Sequence, residues 1–236
     1  MASGRFDLTD SNDFQWSWVV YEENSSSITA NTSNLTVWVY FRRSNNGYTS
    51  KGTMNTSVTV GGETKTESLY FSNSGTADTL MFAKVFENIP HNADGTKTVN
   101  LSVSMSSSAT GYSSSGNINV TLDTIPRHAV LTAAPDFNDE QNPTISYSNP
   151  AGDVITSLQA CISLTGERAD VPYRDIPKTG TSYTFNLTEE DRNMLRNATA
   201  NSNTRTVLFI VWSQIGGVPS SSWFTRTLTI VNGNPV

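Results

Sequence analysis

The chain has 236 residues, with 15 Lys and Arg against 21 Asp and Glu, and a formal charge of -6. That sign repels a phosphate backbone, and Arg42-Arg43 is the only adjacent basic pair, so nucleic acid is not an expected partner. Cys161 is the single cysteine and no run approaches the roughly eighteen apolar residues of a membrane span, so neither an internal disulfide nor a membrane partner is expected.

Only 15% of residues are charged, and the polar remainder is dominated by Ser, Thr and Asn, a composition suited to strands with one solvated face. The length fits two ordinary domains. The leading MASGRFDLTDSND has no basic stretch followed by an apolar one. No secretory signal is expected, and the lone cysteine agrees with synthesis in a reducing cytoplasm. Asp7, Asp10 and Asp13 recur every third residue and carry hard-oxygen ligands suited to calcium. The glycine and distal glutamate of an EF-hand loop are missing, so a solvated leader is the preferred reading and no metal site is assigned.

Strands are predicted over 14–22, 33–43, 53–60, 64–71, 79–87, 96–105 and 116–123, separated by turn residues such as Gly61-Gly62 and Asp94-Gly95. Leu35, Val37, Val39 and Phe41 alternate onto one face, and Thr36, Trp38, Tyr40 and Arg42 onto the other. Val99, Leu101, Val103 and Met105 likewise face inward. Residues 110–116, TGYSSSG, read as a mobile loop carrying an exposed Tyr112. Seven strands at this spacing predict a jelly-roll-like β-sandwich over 1–126.

His91-Asn92-Ala93-Asp94-Gly95 could be a ligand cluster, but Asp94-Gly95 accounts for it as a hairpin corner setting the register of the next strand. Pro126, in Thr124-Ile125-Pro126-Arg127, breaks the ladder and marks a boundary. Strands follow over 142–148, 154–164, 182–187, 204–214 and 223–231. A helix is predicted near 188–200, capped by Thr188, with Glu189, Glu190 and Asp191 in its first turn and Met194, Leu195 and Ala198 on one face. Val207 to Trp212 is apolar on both faces, as in a central strand. The fold class is therefore all-β, with an Ig-like sandwich over 127–236 containing one short helix.

The two histidines, His91 and His128, lack a Gly-x-Ser-x-Gly nucleophile elbow, and neither HExxH nor CxxC spacing exists. Glu22, Glu23, Asp78 and Glu87 could supply a glycosidase acid pair, although nothing in the sequence makes any two converge. No catalytic residue, metal or cofactor is assigned, and the protein is not expected to be an enzyme. The remaining chemistry is aromatic. Trp16, Trp18, Trp38 and Tyr40 either join the core or form an outer platform that stacks on sugar, and Tyr112 adds an exposed ring. Trp212 and Trp223 are expected in the core.

The combination of MASGRFDLTDSN, NTSNLTVWVYFRRSNNGYTSKGT, His91 to Gly95 with its Ser/Thr-rich strand, and Thr124-Ile125-Pro126-Arg127 resembles the amino-terminal module of phage and prophage minor structural tail proteins of Gram-positive hosts. The following NPTISYSNPAG and DVPYRDIPKTGTSYTFNLTEEDRNMLRNAT are similar to the Ig-like module that succeeds it. The resemblance implies a non-enzymatic virion tail component, oligomeric in the virion, whose partners are other tail proteins and bacterial cell-wall polysaccharide. The other reading of the same residues is a carbohydrate-binding accessory domain of a glycan-degrading enzyme.

Overall fold

A computed structural model describes residues 1–11, 14–43, 50–73, 76–197 and 202–231. The chain divides into two compact units, Met1–Ile125 and Pro126–Val236. Among the described residues, strands dominate both, and the fold is all-β with one α-helix.

The first unit contains β1 (Ser3–Asp7), β2 (Thr9–Asp10), β3 (Gln15–Ser27), β4 (Thr32–Arg43), β5 (Ser50–Val60), β6 (Glu63–Asn73), β7 (Thr79–Pro90), β8 (Lys97–Ser107) and β9 (Tyr112–Leu122). They form two antiparallel sheets, ordered β1-β3-β4-β7 and β2-β9-β8-β5-β6. The hairpins β3–β4, β5–β6 and β8–β9 each remain within one sheet. Gly61 and Gly62, both at positive φ (57° and 99°), give β5–β6 the two-residue turn that keeps neighbouring strands paired. Without the edge strands β1 and β2, β3-β4-β7 and β9-β8-β5-β6 follow the immunoglobulin-type order. This corrects the jelly-roll expectation, because nested Greek keys do not contain these three in-sheet hairpins.

The predicted alternation fills the core. Leu35, Val37, Val39 and Phe41 of β4 and Leu101 of β8 are fully buried, with Val99, Val103 and Met105 close to it. Each such side chain contributes roughly 1.5–3 kcal/mol through burial. The N-terminal segment switches sheets at Leu8, which is buried in the core and donates its N–H to the Ser17 carbonyl at 2.9 Å. Opposite it stands Gly116, where a Cβ would lie 2.9 Å from Leu8 Cδ2. The missing side chain on β9 is what admits Leu8 between the sheets.

His91 to Gly95 is a corner, but it connects β7 in one sheet to β8 in the other, so it is not the expected hairpin. The difference arises because β7 pairs with β4 and β8 pairs with β5 and β9. Buried His91 braces this crossing: Nδ1 donates to the Gly95 carbonyl at 2.7 Å, and Nε2 lies 2.9 Å from Ser33 Oγ. Ser33 Oγ donates to buried Glu23 at 2.6 Å, and Glu23 also accepts the backbone N–H of Asp123 at 2.8 Å. The charged residue is thus satisfied within the corner rather than directed at a ligand.

The second unit contains β10 (Val130–Ala133), β11 (Phe137–Asn138), β12 (Thr144–Ser148), β13 (Ser157–Ser163), β14 (Val171–Asp175), β15 (Ser182–Thr184), α1 (Glu189–Asn197), β16 (Thr204–Ile215) and β17 (Val218–Thr229). Its sheets are ordered β10-β12-β15 and β11-β17-β16-β13-β14, again immunoglobulin-type. Short β11 joins β17 in parallel, and α1 occupies the crossover from β15 to β16. As expected, β16 is central, with Val207, Phe209 and Val211 fully buried.

Thr188 caps α1 as predicted. Its Oγ1 accepts the Asp191 N–H at 3.2 Å, while Asp191 Oδ2 accepts the Thr188 N–H at 2.7 Å, a reciprocal capping box. Leu195 packs inward, but Met194 is 40% exposed, a departure from the predicted face; Ala198 lies outside the described residues. The helix faces the unit through Asp191 and Leu195, one turn apart, so Met194 is rotated outward. Arg196 Nε reaches buried Asp139 at 2.6 Å, and Arg174 pairs with Asp191 at 2.5 Å. Burial alone would raise the Asp139 carboxyl pKa, but the Val231 N–H and Arg196 outweigh it and hold it below the ordinary value. For Asp191, burial is likewise outweighed by Thr188 and Arg174.

Two outcomes follow from these contacts. Gly95 has φ +84°, so Gly95→Val should lower the free energy of unfolding by about 1 kcal/mol or more, measured by urea denaturation. Depressed carboxyl pKa values in the folded chain give stability that is present above the unfolded value, about 4, and is lost as pH falls through the folded values. Asp139→Asn should therefore flatten the acid end of the stability profile while lowering stability at neutral pH; an unchanged acid slope would contradict this role.

Candidate functional site

Two inward rows on β4 and β8 leave the intervening side chains of β4 on the outer face of the first sheet. Register places Trp16 opposite Arg42, Trp18 opposite Tyr40 and Val20 opposite Trp38. On the far side of β3, β1 adds Arg5 opposite Val20 and Asp7 opposite Trp18. The pairing therefore brings four of the five predicted rings onto one surface.

At its centre Trp18 and Tyr40 stack with centroids 5.4 Å apart and planes 10° from parallel, while the Arg5 guanidinium lies 4.7 Å from the Trp18 ring. Strands β1 and β4 flank β3, so this column crosses three strands. Trp18 is only 6% exposed. Its surface is used to order its neighbours rather than offered to a ligand. Trp16 is 38% exposed beneath Arg42, whose guanidinium lies 5.7 Å from its ring. Arg42 is further held by the Thr76 carbonyl at 2.8 Å and Asp78 at 3.5 Å. Half-buried Trp38 and Tyr40 complete a fixed aromatic surface rimmed by arginine.

Tyr112 is a correction. It is 1% exposed, begins β9, and packs edge-on against Phe41 at 5.1 Å. Its hydroxyl donates to the Asp10 carboxylate and lies 3.0 Å from Ser17 Oγ. Burial, followed by the Asp10 contact, raises the phenol pKa well above its ordinary value. The predicted loop is instead an inward strand position, because Tyr112 falls in phase with Ser114 and Val120 along β9.

Of the acidic repeat near the start, Asp7 and Asp10 are engaged by different partners. Asp7 pairs with Arg5 at 3.2 Å, whereas Asp10 accepts Ser17 Oγ at 2.9 Å and the Tyr112 hydroxyl; Asp13 lies outside the described residues. Glu22 and Glu23 are adjacent on β3 and project from opposite faces, the first exposed and the second buried. Asp78 is engaged by Arg42.

Trp212 and Trp223 also depart from expectation: Trp212 is half-buried and Trp223 is 57% exposed. The signal was present in the alternation of β17, where buried Leu228, like Ile230 just after the strand, has a phase that leaves Trp223 on the other side. Buried Cys161 sits beside Tyr173, and burial pushes its thiol up to about 11, leaving it protonated and unreactive.

No protein-family model matches the chain, and no curated protein matches it. Among solved structures, the FN1–FN3 domains of chicken CNTN1 are similar at 9% identity with a TM-score of 0.34, over 92% of this chain. The chain spans 66% of the length of that structure. The sandwich assignment rests on the strand order of each unit.

Tyr112→Phe should cost about 1–2 kcal/mol of stability by leaving Asp10 short of a donor, read from denaturant midpoints. It should leave ligand binding unchanged; a stable variant with lost binding would return Tyr112 to the site.

Proposed function

We propose that the protein is a non-catalytic adhesion and scaffold component of a phage or prophage tail, and that its first unit contacts glycan on a Gram-positive host. The tail assignment is supported by the sequence resemblance. The adhesive half rests on one observation, the ordered aromatic and arginine surface on β1, β3 and β4. Flat rings held in place stack on the apolar faces of sugar rings without losing side-chain freedom on binding, and the arginine rim supplies donors to hydroxyl or acidic groups. Trp38 and Tyr40 are the contact residues in this reading. Trp18, capped by Arg5, positions Tyr40, Arg42 covers Trp16 at the rim, and other tail proteins are the structural partners.

The test is saturable binding of the labelled chain to intact Gram-positive cells and purified wall polysaccharide. Trp38→Ala and Tyr40→Ala should each weaken it by about tenfold while thermal unfolding stays cooperative, the loss expected for one stacking contact. A folded protein that binds no cell or wall preparation would remove the adhesive role and leave the scaffold role.

A further inference from the structure

The second unit carries an aromatic face of different character. On β16, outward Ile210 pairs with Cys161 of β13 on one side and with Trp223 of β17 on the other. Tyr173 of β14 lies against Cys161 and is 44% exposed. Tyr173, Cys161, Ile210 and Trp223 thus form one apolar row across four strands, a span of roughly 14 Å at ordinary strand spacing.

Trp212 lies diagonally beside Trp223, because its direct partner is Ser221, two residues before Trp223. Gln159 sits opposite Trp212 from β13, and Thr225 follows Trp223 on the same face. The row is therefore bordered by amide and hydroxyl groups. From Thr206 to Gln214 on β16 and from Pro219 to Thr227 on β17, no outward residue is charged. Asp175 stands at the β14 edge, where its carboxylate accepts Gln159 Nε2 at 2.9 Å.

We propose that this face binds a neutral polysaccharide, with Trp223 as the main stacking ring, Trp212 beside it and Tyr173 at the far end of the row. Trp223 and Tyr173 are the open ends of this row, 57% and 44% exposed, while Cys161 between them is buried, so the rings offer stacking surface on either side of a closed middle. The occupant is selected by charge: in a chain of net charge -6, a stretch without charge offers nothing to an ionic partner. A neutral glycan matches the remaining features, since its rings have apolar C–H faces and hydroxyl rims that meet aromatic rings and flanking amides together. This site goes beyond the glycan contact proposed for the first unit and uses none of its residues.

The full chain would be run in native gels containing hydroxyethyl cellulose, a neutral mannan or a neutral galactan. At least one should retard it. Trp223→Ala should weaken that retention about tenfold, and Thr225→Glu, which keeps every ring but introduces a charge, should also weaken it. Retention measured on the immobilised glycan should survive about 1 M salt, where ionic contacts are screened. Trp38→Ala and Tyr40→Ala should leave it unchanged.

The proposal would be overturned by no retardation by any of the three glycans, by equal retention of wild type and both second-unit variants, or by a wild-type dimer that Trp223→Ala dissociates. The last would assign the face to a second copy of the chain. Retention lost in Trp38→Ala but kept in Trp223→Ala would sink this site while supporting the first. Loss of whole-cell binding in the first-unit variants alone would leave this site standing.

Discussion

The period-two pleat of the strands is the constraint from which the surfaces of this protein follow. Once Leu35, Val37, Val39 and Phe41 fill one side of β4, the residues between them must stand on the other. A ring at such a position has no core to enter. It must be covered by neighbouring strands or left open, and both outcomes occur on the same sheet. Trp18 is covered by Arg5 and Tyr40, whereas Trp16 remains partly open beside Arg42.

Buried and half-buried carboxylates then fix segments that hydrophobic packing alone would leave loose. Asp10 ties the short β2 to β3 through Ser17 and to β9 through Tyr112. Glu23 serves the opposite purpose of an exposed acid, holding Ser33 and the Asp123 N–H in the corner that His91 braces. Asp139 joins α1 to the end of β17 through Arg196 and the Val231 N–H. Each carboxylate has several donors, which offsets the desolvation that would make an unpaired buried charge strongly destabilising.

The two units share a strand order but present unlike outer faces. In the first, arginines cover or flank the rings and acids pair with the arginines, so the surface is aromatic and charged together. In the second, Trp223 and Tyr173 stand on a surface whose central strands are uncharged outward. A common frame therefore offers two different chemistries, because outward positions do not contribute to the core and are free to vary.

The sequence by itself determined the all-β class and the longer strands, the inward rows of β4 and β8, the Thr188 cap and the central position of β16. These rest on local periodicity and capping, which need only neighbouring residues. The short strands β1, β2, β10, β11 and β14 were not among them, and the first two replace the expected solvated leader. Strand order was decided by the tertiary structure, since alternation reports which face a residue takes but not which strand lies beside it. For that reason the jelly roll became an immunoglobulin-type order, and the Gly95 turn became a crossing between sheets. The same limit explains the rings. Tyr112 turned inward because Asp10, 102 residues away, receives its hydroxyl, and Trp223 stayed outward because the core positions of β17 were already occupied.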